Sequence, residues 1–241
     1  MRREVAESVA RRFVDAWLRP GDRATLERVL RACHELGYWG AALEVDEKLW
    51  REAQELGRDF GLEVFRRTTV EASSKSELYR RLGAVRWSHD LVGVATTERD
   101  VLLAAVRDMR VDTVIMTHRA APPVDRHILQ VTANCLEVAL FHVFEYGFEA
   151  FRAALRAIKA AHKKKIRLII STGAKDEYEL RTPRQLASLA CAASTDIGFA
   201  LDAVSKFPSD SLLENRGRIE GRVSVDGVWR LAEGEEKVSS G

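Results

Sequence analysis

The 241-residue sequence predicts an α/β fold, a (β/α) TIM-like barrel followed by a short C-terminal β-hairpin. Three observations predict it. Short apolar runs rich in β-branched residues recur along the chain and are too short for helices. Segments with apolar residues at helical spacing stand between them. Residues that cap or stop helices sit at the junctions. Consecutive strands joined by helices lie parallel with right-handed crossovers, and eight such units close a barrel. An open doubly wound sheet would show the same alternation.

Residues 13–18 form the first predicted strand, ended by Pro20-Gly21-Asp22. Asp22 caps a helix that runs to Leu36, with Leu26, Val29, Leu30 and Cys33 as its apolar stripe. Gly37 suits the left-handed residue after a helix. Residues 38–45 are strand two. Residues 46–60 are a helix with Leu49, Ala53 and Leu56 inward, and Gly61 follows it. Strand three spans 62–70, and a short helix 74–82. Strand four spans 91–95, and Thr96 or Thr97 caps a helix over 98–109. Strand five spans 111–116. A long loop stiffened by Pro122 and Pro123 leads to a short helix over 127–133, then strand six over 136–141.

Residues 148–164 are the clearest helix. Phe148, Phe151, Leu155 and Ile158 share one side, and Arg152, Arg156, Lys159 and Lys163 the other. Strand seven is 166–170. After a polar loop, Thr182 caps a helix whose first residue is Pro183. Strand eight is 197–204, ended by Ser205-Lys206-Phe207-Pro208, and a last helix passes Leu212 and Leu213. Residues 222–231 read as a hairpin around Asp226-Gly227, and residues 232–241 as a polar, disordered tail. The predicted domains are 1–219 for the barrel and 220–241 for hairpin and tail.

The chain carries 38 basic and 36 acidic residues, a net charge of only +2. That excludes a globally basic nucleic-acid binder, so any RNA contact must use local patches. Cys33, Cys135 and Cys191 are far apart and in apolar settings, which predicts buried thiols in a reducing compartment. No CxxC pair offers a structural zinc site. Residues 1–12 are charged and lack the apolar core of a signal peptide. No apolar run approaches a membrane span. A cytoplasmic location is expected.

One ordered set of residues carries a resemblance. It runs Ser171-Thr172-Gly173-Ala174, then Glu179-Leu180-Arg181-Thr182-Pro183-Arg184-Gln185-Leu186, then Ala200-Leu201-Asp202-Ala203-Val204-Ser205-Lys206-Phe207-Pro208, then Glu214-Asn215-Arg216-Gly217-Arg218-Ile219. It resembles the archaeal ribonuclease P protein component 3 family, the thirty-kilodalton subunit family shared with eukaryotic ribonuclease P. Weaker likeness extends to Phe13-Val14-Asp15 and to residues 35–42. Gln185 departs from the family, which usually has Asp there. The resemblance implies a barrel similar to that of the polymerase and histidinol phosphatase superfamily. It implies a noncatalytic subunit supporting RNA-catalysed removal of the 5′ leader from precursor tRNA. The implied partners are ribonuclease P RNA, precursor tRNA indirectly, protein component 2 and other ribonuclease P proteins. No cofactor is implied on this chain, and magnesium is expected on the catalytic RNA.

The rival is a metal-dependent phosphoesterase. By the same resemblance, active barrels carry Asp-x-His or His-x-His at the end of strand one, whereas this chain has Asp15-Ala16-Trp17. His34, His89, His118, His127, His142 and His162 are scattered, and His118 after strand five is the best single ligand candidate. Ser171 and Ser205 lack a histidine nearby in sequence and are expected to bond loop backbone. The amides of Ser171-Thr172-Gly173 offer a phosphate cradle.

The basic residues divide by position. Arg152, Arg156, Lys159 and Lys163-Lys164-Lys165 line a helix face, as solvation alone would arrange them. Arg119, Arg126, Lys175, Arg181, Arg184 and Lys206 come from loops after strands five, seven and eight, which a barrel gathers at one rim. They are the predicted RNA-binding residues, and no catalytic or metal-binding residue is expected. Arginine suits the task because its planar fork matches two phosphate oxygens. The competing expectation is that Arg181 and Arg184 pair locally with Asp176, Glu177 or Glu179.

Overall fold

A computed structural model describes residues 11–222. Among them, seven parallel strands follow one another in sheet order: β1 (Val14–Leu18), β2 (Gly40–Leu43), β3 (Glu63–Glu71), β4 (Leu91–Ala95), β5 (Thr113–Ile115), β6 (Cys135–Ala139) and β7 (Leu168–Ser171). The crossovers are α1 (Arg23–Glu35), α2 (Glu47–Phe60), α3 (Lys75–Val85), α4 (Arg99–Ala105), α5 (Arg126–Val131) and α6 (Leu140–Lys164). After β7 come α7 (Pro183–Ala192), α8 (Ile197–Asp202) and α9 (Lys206–Ile219). The predicted hairpin and tail lie almost wholly outside the described residues.

The helix starts follow from side-chain chemistry. Asp22, Asp46, Ser74, Asp125, Thr182 and Asp196 each accept a backbone N–H of the first turn that has no partner within the helix. Gln185 completes a capping box, accepting the Thr182 amide at 2.9 Å. The α6 ladder is interrupted at Gly147, with φ 64° and ψ −140°, so the predicted helix over 148–164 gains a preceding segment.

The predicted eighth strand is a helix. Asp196 accepts the Phe199 amide at 2.9 Å and nucleates α8 over residues that read as a strand by composition. Only Ala203 and Val204 fill the eighth position. Ile170 N–H donates to Ala203 O at 3.1 Å and Val14 N–H to Val204 O at 3.0 Å. Further along the seam Leu18 bridges Ala174 in parallel, and Arg19 N–H donates to Ala174 O at 2.8 Å. The barrel is thus nearly closed.

Strand alternation lines the interior in three layers. The lowest holds Val14, Ala42, Phe65, Leu91, Cys135 and Ile169, closed from below by Leu212 of α9. The uppermost packs Trp17, Ala95, Ile115 and Ala139 under Phe141. Between them lies a polar layer. Arg67 and Glu137 are fully buried and paired twice, at 2.8 and 2.9 Å. Ser171 donates to the same carboxylate at 2.7 Å, and Arg67 also donates to Ala16 O at 2.6 Å. Gly93 leaves the space: a Cβ there would stand 3.0 Å from the guanidinium.

The amino-terminal end is shut by α9. Asn215 donates to Asp90 O at 2.9 Å and to the Asp112 carboxylate at 2.8 Å. Asp112 also holds Arg86 at 2.7 Å. Arg216 pairs with Asp90 and Glu63 and donates to Val64 O.

Candidate nucleic-acid interface

The open, carboxyl-terminal end is walled by aromatic rings. Arg19, just past β1, lies 3.8 Å over the Phe141 ring and donates to Gly173 O from two nitrogens, at 3.2 and 3.0 Å. Gly173 has φ +70°, and a Cβ there would stand 2.0 Å from Phe141, so only glycine fits. Trp17 meets the Phe141 and His142 rings edge-on, and Tyr146 stacks on His142 at 5.3 Å. Glu44 fixes Trp17, accepting its indole N–H at 2.5 Å, and also accepts the Thr69 amide and hydroxyl. Burial pushes the His142 pKa down to about 3, so its ring is neutral at physiological pH. These side chains enclose a cavity of about 460 Å³.

Lys175 lines this mouth cavity. Arg119 lines an adjoining one of about 640 Å³ together with Arg156 from α6, and His118 borders both. Arg181 donates to Tyr178 O at 2.9 Å and Leu180 O at 2.6 Å, and its guanidinium stands 5.8 Å over the Phe144 ring. Tyr38 fixes that turn from below, donating to Arg181 O at 2.7 Å. Arg184 is exposed in the first turn of α7, and Arg126 is exposed at the head of α5. Lys206 does not join them. With no eighth strand, the chain turns at Ser205 straight into α9, and Lys206 heads the helix that crosses the opposite end.

Among the described residues, none of these six cations pairs with a carboxylate. The nearby acids are engaged elsewhere: Glu177 holds Arg28 at 2.8 Å, Glu179 accepts the Lys175 amide, and Asp176 accepts the amides of Tyr178 and Glu179. The expectation that Arg181 and Arg184 would be neutralised locally is therefore not met. On the helix face, Arg152 does pair, with Glu149 at 3.4 Å.

One other expectation changes. The Ser171-Thr172-Gly173 loop is not a phosphate cradle. The Thr172 amide donates to Asp15, the Ala174 amide to Thr172 Oγ1, and the Ser171 hydroxyl to Glu137. Asp15 in turn is committed to the β1–β7 seam. Its fully buried carboxylate accepts the Thr172 hydroxyl at 2.5 Å and the Trp17 amide at 3.1 Å. Burial raises its pKa to about 6 against those bonds. Among the described residues, no three His, Cys, Asp or Glu side chains gather closely enough to hold a metal ion. Sequence reasoning missed Arg19, Phe141 and Tyr146. Their signal was position: Arg19 directly follows the first strand, and Phe141 and Tyr146 follow the sixth.

The chain matches the family model described as RNase P subunit p30 over residues 9–220. The chain belongs to that family. Its members are protein subunits of ribonuclease P, a ribonucleoprotein enzyme. The chain is 27% identical over 227 residues to ribonuclease P protein component 3 of Methanosarcina barkeri, covering 90% of this chain and 93% of that one. It is 25% identical over 232 residues to the Methanothermobacter thermautotrophicus protein of the same name, covering 88% and 93%. The fold matches a chain in the cryo-EM structure of archaeal ribonuclease P with mature tRNA, with a TM-score of 0.77 at 16% identity over 92% of this chain and all of that one. The family subunit reading is thus favoured over the metal phosphoesterase. Among the described residues, no helix is long and apolar enough to cross a membrane.

Proposed function

We propose that this subunit is itself noncatalytic and binds the catalytic RNA of ribonuclease P, stabilising the shape that removes the 5′ leader from precursor tRNA. One observation carries the reading: Lys175, Arg181, Arg184, Arg119 and Arg126 lie on loops or helix starts past the ends of β5 and β7 and, among the described residues, hold no carboxylate. In a chain whose net charge is only +2, other arginines, among them Arg67, Arg86 and Arg216, are committed to ion pairs within the fold. Cations without such partners exchange small counterions for phosphates, and the released ions drive binding. Magnesium belongs to the RNA in this reading, and the subunit works in the cytoplasm beside protein component 2.

Reconstitution tests it. Cognate RNA and the companion proteins are assembled with and without this chain, and precursor cleavage is scored at several magnesium concentrations. The chain is expected to lower the magnesium needed for half-maximal cleavage. Equal curves with and without it would refute the reading.

A further inference from the structure

The mouth cavity is charge-balanced, which makes it a poor phosphate site. Its lining sets Arg19, Arg81 and Lys175 against Glu44, Glu71 and Glu145. Arg19 is committed to Gly173 O and Arg81 to Glu77, so neither is free for an anion. What the cavity does offer is flat, uncharged stacking surface. Tyr146 and His142 lie within 20° of parallel, and Trp17 and Phe141 continue the wall. Across that wall the Glu71 carboxylate and the Lys175 ammonium have no hydrogen-bond partner among the described residues, leaving an acceptor and a donor. The volume of about 460 Å³ lies in the range of small-molecule sites, roughly 300–1,000 Å³.

We propose that the mouth of the barrel is a nucleobase-binding site, filled in the assembled enzyme by one unpaired nucleotide of the RNA. A base is flat and neutral, and its edge both donates and accepts. A carboxylate can take an exocyclic amine and an ammonium can donate to a ring nitrogen or carbonyl. The neighbouring cavity explains how the rest of the strand is held. It shares His118, Glu145 and Tyr146 with the mouth and carries Arg119 and Arg156, neither paired to a carboxylate among the described residues. A base would enter the mouth while the flanking phosphates cross these two arginines. This source of the base rests on the RNA-binding reading above. The site itself does not, since free nucleosides carry the same chemistry.

The test uses two arms and the full chain. In the first, nucleosides and inorganic phosphate are titrated separately while the ring resonances of His118 and His142 are followed by NMR. Nucleosides are expected to move them, and phosphate to leave them in place. Tyr146→Ala and Glu71→Gln are each expected to weaken nucleoside binding about tenfold, as removal of one stacking or edge interaction would. In the second arm, the reconstituted enzyme is photocrosslinked and the peptides holding residues 17–19 and 141–146 are searched for attached nucleotides. Crosslinks there identify the RNA as the source. Nucleoside shifts without such crosslinks keep the site but assign it to free nucleosides. If RNA is retained in a filter-binding assay while neither arm responds, the nucleobase site is refuted and the RNA-binding reading stands. If RNA is not retained and neither arm responds, both fall.

Discussion

The two ends of this barrel carry similar residues and use them oppositely. At the amino-terminal end, Arg86, Arg216, Asp90, Asp112 and Asn215 bond one another and α9 to the starts of β3, β4 and β5. At the carboxyl-terminal end, Lys175, Arg181, Arg184 and Arg119 hold no acid among the described residues. Exposure alone does not explain the contrast, because acids stand within a few residues of Arg181 and are turned to other partners. One end uses charge to fix structure. The other leaves its cations without an ion pair among the described residues.

The largest effect expected from this contrast lies at the closed end. Asp112→Ala removes the acceptor for Arg86, for Asn215 and for the Val92 amide, all between 2.7 and 2.8 Å. Arg86 is buried, and breaking one side of a buried ion pair costs about 3–5 kcal/mol. Urea unfolding should show that loss, while RNA affinity measured below the new transition stays within a factor of two. A loss of RNA affinity larger than the lost folded fraction would mean that the closed end also contacts RNA.

The second effect lies on the seam that links the ends, and it depends on pH. The Asp15 carboxyl titrates near 6 in the fold against 3.8 ordinarily, because burial outweighs its bonds to Thr172 and Trp17. The folded state therefore holds a proton that the unfolded chain has released. Its stabilisation is complete below pH 3.8 and is lost as pH rises to about 6. The change is about 3 kcal/mol at about 1.4 kcal/mol per pKa unit. His142, buried neutral with its pKa near 3, slopes the other way over much of the same range. The Asp15 part is isolated by subtraction: the stability of Asp15→Asn relative to the parent should rise by about that amount between pH 4 and 7. A flat difference would show that the carboxylate is better solvated than its burial implies.

These predictions also mark what the sequence could and could not tell. The strands were legible because they are buried on both faces, so residues 91–95 and 168–170 read as unbroken apolar runs. The cap residues Asp22, Asp46 and Thr182 were legible because capping is local. Strand eight misled because Ile197–Asp202 has strand-like composition, and the deciding feature is one side-chain bond from Asp196. Arg67 and Glu137 looked like ordinary strand positions, since a pair 70 residues apart leaves no periodic trace. The rim cations were legible as a position, past the ends of strands. That they are unpaired was not, because Glu177 turns to Arg28, which lies 149 residues away in sequence.

A third effect tests whether the mouth wall needs its bend. Gly147 breaks α6 with φ +64°, a conformation that L side chains rarely adopt. It separates the segment carrying Phe141, His142 and Tyr146 from the rest of the helix. Nothing lies within 4 Å of a Cβ built there, so Gly147→Ala adds backbone strain and no clash. Such strain costs about 1–3 kcal/mol. If instead the alanine straightens α6, stability holds while the His142 ring resonances move. Unfolding curves and NMR separate the two outcomes.

The smallest effect on stability belongs to the open end, and it is the sharpest test of the contrast. Lys175→Ala, Arg181→Ala and Arg184→Ala combined remove three charges that make no ion pair among the described residues. Surface changes of this kind usually stay within about 0.5 kcal/mol each. Arg181 is the exception to watch, since its donors also serve Tyr178 O and Leu180 O. RNA affinity should nevertheless fall, and the slope of log K against log salt should flatten by about 0.7–0.9 for each phosphate that is no longer neutralised. The two readouts must diverge for the contrast to hold. A triple variant that unfolds early but keeps its salt slope would make these residues structural, like those at the closed end. One that folds normally and loses about two units of slope or more would show that charge withheld from internal pairing is charge presented to RNA.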